Sequence, residues 1–167
     1  GCASALASGI AAPLAVPSAP IVAVTDNCGS SLLTASGYTG SLLWSTGETT
    51  ESITVTAGGT YTVTQTVGGC TSADGNGIAA PKLIPPAPIV TIANNCGNSV
   101  LTASGFTGSL LWSTGETTES ITVTTGGTYT VSQTVNGCTS EAGSGLAEPI
   151  NSVVATPTIV VVDDCGQ

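Results

Sequence analysis

Nearly everything in this chain is written twice. Residues 19–86 return as residues 87–154 at an offset of 68 positions, so Cys28, Trp44, Tyr61 and Cys70 recur as Cys96, Trp112, Tyr129 and Cys138. The ends are cut from the same text. GCASALASGIAAP at the start matches GCTSADGNGIAAP after the first copy, and PTIVVVDDCGQ at the end matches PIVAVTDNCGS. A fixed period of this size marks an array of like modules. The chain therefore reads as a window onto a longer array. Its expected organisation is a C-terminal fragment of a preceding repeat (1–19), a repeat (20–80), a Pro-rich linker (81–87), a second repeat (88–148), a second linker (149–157) and an N-terminal fragment of a following repeat (158–167). Consecutive copies of one module suit a fibre or stalk better than an enzyme.

Within a copy the signals are those of strands. SITVT alternates strictly, and TYTVTQTV alternates again, with every Thr on one face and Ile53, Val55, Tyr61, Val63 and Val67 on the other. A period of two with one polar face is the pattern of a half-buried antiparallel strand. Further strands are expected at 20–25, 31–36 and 41–45, with a weaker one near Ile78-Ala79-Ala80. No apolar stripe recurs at helical spacing. Six or so short strands in about 68 residues, closed by glycine-rich turns, predict an all-β chain of tandem immunoglobulin-like β-sandwich modules joined by short Pro-rich linkers. Trp44, Trp112, Tyr61 and Tyr129 are the expected core aromatics. Gln65 interrupts the apolar face, and its amide is expected either to leave the core or to bond a loop.

Charge narrows the function classes. Lys82 is the one basic residue, there is no His, and the net charge is -9. A nucleic acid would be repelled, and no basic patch exists to hold its phosphates. No stretch is long and apolar enough to insert in a membrane. Nucleophilic catalysis needs a base beside Ser or Cys, which this composition does not provide, so no catalytic residue is assigned. Glu48 and Glu51 (Glu116 and Glu119) are paired carboxylates but fall on a turn, where solvation is the simpler role. Asp26-Asn27, Asn94-Asn95 and Asp163-Asp164 precede a cysteine and offer oxygen ligands for calcium, yet the acidic residues do not recur in every copy. No metal site or cofactor is expected beyond that slender calcium option. Trp44 and Trp112, with Tyr38 and Phe106, could form a sugar platform, but their apolar strand context favours core packing.

The six cysteines are evenly spaced, without CxxC, which points to disulfides and an oxidising compartment rather than zinc. Two registers fit the spacing. Bonds within modules would join Cys28 to Cys70 and Cys96 to Cys138, leaving Cys2 and Cys165 to pair outside the window. Bonds across linkers would join Cys2 to Cys28, Cys70 to Cys96 and Cys138 to Cys165. The first is preferred because a small module gains most from an internal staple, about 3–4 kcal/mol for such a loop. In the linker, Pro81, Pro85, Pro86 and Pro88 should keep the chain extended and stiff, with Leu83 and Ile84 packed on a module edge.

WSTGETTESITVT, GGTYTV and NGC together resemble the immunoglobulin-like and PKD-like tandem repeats of secreted Bacteroidota surface proteins, including giant gliding-motility adhesins. The resemblance covers both full copies and both fragments. It implies a β-sandwich, export often by type IX secretion, and an extracellular, cell-surface location. It supplies no ligand. The expected partners are neighbouring repeats of the same chain, with other copies in a filament or a surface polysaccharide as alternatives.

Overall fold

The computed structural model describes residues 14–151. Cys2, Cys165, Asp163-Asp164 and nearly all of both terminal fragments lie outside them. The chain divides between Leu83 and Ile84 into two compact units, inside the Pro-rich segment.

Among the described residues the first unit holds seven strands: β1 (Ile21–Asn27), β2 (Ser30–Ser36), β3 (Ser41–Trp44), β4 (Ser52–Val55), β5 (Gly59–Val67), β6 (Cys70–Thr71) and β7 (Gly75–Ala79). The second repeats them as β8 (Ile89–Asn95), β9 (Asn98–Ser104), β10 (Ser109–Trp112), β11 (Ser120–Val123), β12 (Gly127–Val135), β13 (Cys138–Thr139) and β14 (Gly143–Ala147). One sheet runs β1-β2-β4, and the other sets β5 between β3 on one side and β6 and β7 on the other. All of these pairings are antiparallel. This strand order is that of an immunoglobulin-like sandwich, strands A, B and E facing C, F and G. The chain is thus all-β, a tandem of two such modules.

Alternation puts the core where the two sheets meet. Leu33, Ala35 and Ile53 come from one sheet, and Leu42, Trp44, Val63 and Ala79 from the other; all are buried. The second unit repeats the set with Leu101, Ala103, Ile121, Leu110, Trp112, Val131 and Ala147. Trp44 lies on the third strand, the usual place for the core Trp of this fold, and its indole Nε1 donates to Thr50 O at 2.8 Å. Tyr61, near the start of β5, donates from its hydroxyl to Ala57 O at 3.1 Å, and Tyr129 does the same to Thr125 O at 3.0 Å. This is the tyrosine corner of immunoglobulin-like domains, which ties strand F, here β5, to the loop before it.

Two elements depart from the sequence reading. The two-residue strand β6 was not anticipated. It forms because Gly68-Gly69, and Asn136-Gly137 in the second copy, all adopt positive φ, the geometry of a two-residue hairpin turn. The last strand begins at Gly75 rather than Ile78. A Cβ on Gly75 would lie 2.0 Å from Pro20 O, and one on Gly143 would lie 1.9 Å from Pro88 O. Glycine is required there so that β7 can lie directly against β1.

Candidate functional site: the two ends of each module

β1 and β7 run side by side in the same direction. Gly75 is level with Pro20, Gly77 with Val22 and Val24, Ala80 with Asp26, and Lys82 with Cys28. Each module therefore has an entry end, where the chain arrives at Pro20 or Pro88, and an exit end, where it leaves past Lys82 or Ile150. Both ends grip the linker.

At the entry end the grip is a single glutamine. Gln65 is buried on the inward face of β5. Its Oε1 accepts from the amides of Thr39 at 2.9 Å and Gly40 at 3.1 Å. Its Nε2 donates to Ser18 O, on the arriving chain, at 2.7 Å. Its backbone is satisfied by Ser72, whose Oγ accepts from Gln65 N and whose amide donates to Gln65 O. Gln133 repeats the arrangement with Thr107, Gly108, Ser140 and Pro86 O, again at 2.7 Å for the linker bond. The site needs an acceptor for two amides and a donor for one carbonyl, which a neutral amide supplies and a carboxylate does not. The polar break in the apolar face is thus the residue that fastens the incoming linker.

At the exit end the grip is an oxygen acceptor and a short parallel pairing. Asp26 Oδ1 accepts from Ser31 Oγ and from Ala80 N, the latter at 2.9 Å. Lys82 N then donates to Asn27 O at 2.9 Å, and Gly29 N donates to Lys82 O at 2.8 Å. In the second copy Asn94 Oδ1 accepts from Ser99 Oγ at 2.6 Å and Glu148 N at 3.0 Å, while Ile150 pairs with Asn95 and Gly97. Ser31 and Ala80, with a smaller contribution from the Lys82 charge, hold the Asp26 carboxyl below its usual range. Asn94 performs the same hydrogen bonding without a charge. Among the described residues, no three His, Cys, Asp or Glu side chains gather as a cation site would require.

The remaining sequence candidates take structural positions. Glu48 and Glu51 are exposed, and it is their backbone carbonyls that act, accepting from Trp44 N and Ala35 N. Tyr38 and Phe106 pack against the cores rather than beside an exposed Trp. In the linker, Pro85 and Pro88 are buried, Pro81 is half-buried and Pro86 is exposed. Leu83, at 85% exposed, and Ile84 do not pack on a module edge, contrary to expectation. Pairing of Lys82 with the end of β1 carries the chain outward past that edge before Leu83 is reached.

The cysteine register also needs correction. Cys28 and Cys138 are disulfide-bonded, but the within-module pairs Cys28–Cys70 and Cys96–Cys138 are not formed, and Cys70 is a free thiol. Cys28 lies at the exit end beside Lys82. Cys70 pairs with Val67 at the far end of β5. Eight residues of extended strand separate those ends, about 26 Å, whereas bonded cysteines need Cα atoms within about 7 Å. The same separation keeps Cys96 from Cys138. The across-linker pair Cys70–Cys96 fails as well, since Cys70 is unbonded.

No protein-family model matches the sequence, and no curated protein matches it. Solved structures align at low similarity. The chicken interferon gamma receptor alpha chain is 14% identical with a TM-score of 0.38, over 81% of this chain and 100% of that one. A two-domain fibronectin type III segment of chicken tenascin is 10% identical with a TM-score of 0.32, over 77% of this chain and 98% of that one. Murine CEACAM1b is 12% identical with a TM-score of 0.35, over 78% of this chain and 100% of that one.

Proposed function

We propose that this chain is a structural repeat of an extracellular bacterial surface fibre or adhesin stalk, whose modules set length and whose gripped linkers set direction. One observation carries the reading: in both copies, side chains at opposite ends of the module hold the arriving and the departing linker. A sugar-binding module has no need to fasten both of its tethers, whereas a load-bearing one does. Disulfide-bonded Cys28 and Cys138 favour an oxidising, extracytoplasmic setting. The charge-poor, Thr-rich surface suits contact with neutral surroundings.

Electron imaging of the native protein on and off cells tests the reading. A thin fibre with an axial repeat of some tens of Å, about one strand-built module, is the expected result. A compact particle in which these modules hang beside another domain would remove the stalk and leave an accessory role. A second reading, multivalent polysaccharide binding, would need affinity-gel retardation by an isolated pair of modules.

A further inference from the structure

β1 and β7 lie side by side but belong to different sheets, and among the described residues no ladder joins them. Over most of their length they meet by packing alone. Val22 and Val24 sit over Gly77 in the first unit, and Val90 and Ile92 over Gly145 in the second. Such apolar contact is non-directional and can slide. Hydrogen bonds hold the pair only at the exit end. Ala80 N donates to Asp26 Oδ1 at 2.9 Å, Lys82 N to Asn27 O at 2.9 Å and Gly29 N to Lys82 O at 2.8 Å. The second unit repeats the three: Glu148 N to Asn94 Oδ1 at 3.0 Å, Ile150 N to Asn95 O at 2.9 Å and Gly97 N to Ile150 O at 3.1 Å. Each set ties the end of the first strand to the chain that leaves the last.

Because the two strands run parallel, the chain enters a module at one end of the pair and leaves at the other. Tension on the chain draws β1 toward the entry end and the segment after β7 toward the exit end. The three bonds run across the strands. They are therefore loaded together, in shear, rather than opened one at a time from an edge. The entry grip differs. Gln65 holds Ser18 O by a single bond ahead of β1, and its loss frees only the residues before that strand. We propose that the exit-end patch is the mechanical clamp of each module: it bears tension applied through the chain ends, and the module opens when its three bonds give way. A bond broken at the barrier passes its whole loss to the unfolding rate, and that rate governs forced unfolding.

The clamp deepens the stalk reading, since a stalk is what carries such tension. Pulling judges the clamp and imaging judges the stalk, so either can fail alone. The test holds the full chain by its two ends at constant force, with reductant present so that no disulfide shares the load. Each unit then gives one unfolding event with its own lifetime. Asp26→Ala removes a clamp acceptor and should shorten one lifetime about fivefold, the factor that one lost hydrogen bond carries. Asp26→Asn, which copies the Asn94 arrangement, should restore it. Ile150→Pro removes the donor to Asn95 O and should shorten the other lifetime by a like factor, so the two units supply independent variants. Urea midpoints measured without force show that each variant folds. Unchanged lifetimes under tension, in folded variants whose urea midpoints have fallen, would overturn the clamp. Equal shortening by Asp26→Asn and Asp26→Ala would overturn it too.

Discussion

Gln65 and Gln133 do a task that no other side chain could do at the same length. Replacing Gln133 with Ala would leave two loop amides and the Pro86 carbonyl without their buried partner, at about 1–3 kcal/mol for the unsatisfied groups. Urea denaturation should show a lower midpoint at unchanged slope, and Gln133→Glu should fare no better, because it cannot donate to Pro86 O. Asp26 gives the first unit an acid sensitivity that the second lacks. Its folded pKa lies below its unfolded one. Its stabilising effect is therefore complete above the unfolded value and is lost as pH falls through the folded value. Denaturation midpoints measured from pH 5 downward should fall more steeply for the native chain than for Asp26→Asn, which copies the uncharged Asn94 arrangement. Tyr61→Phe, removing only the hydroxyl that reaches Ala57 O, should cost about 1 kcal/mol in the same assay.

At the scale of elements, what could be read from the sequence depended on whether side chains announced the strand. The fourth and fifth strands carry alternating Thr and apolar residues, the second and third carry short apolar runs, and all four fall within a residue or two of their expected places. The seventh, Gly-Asn-Gly-Ile-Ala, carries almost no such signal. Its glycines answer to the first strand lying against it, a fact of packing absent from local pattern. Gly75→Ala should therefore destabilise by about 1–3 kcal/mol through a forced clash with the Pro20 carbonyl. Thermal unfolding followed by Trp44 emission would report it; an unchanged midpoint would mean that the two strands separate easily. Gln65 stood out as an exception in the pattern, but its partners lie 25, 26 and 47 positions away. The cysteine spacing misled for a related reason. It counts contour, whereas Cys28 lies beyond the exit end of β1 and Cys70 beyond the entry end of β5.

For the whole molecule, the brevity of the linker bears on folding. Adjacent modules that read almost alike are prone to exchange strands while they fold. For β8 to take the place of β1 beside β7, the chain leaving Lys82 would have to return the length of a module, about 26 Å, before reaching Pro88. Six peptide steps at their fullest extension reach about 22 Å. A linker four or five residues longer would remove that obstacle, so near-identical neighbours can be kept from confusing their strands by a tether too short for the mistake.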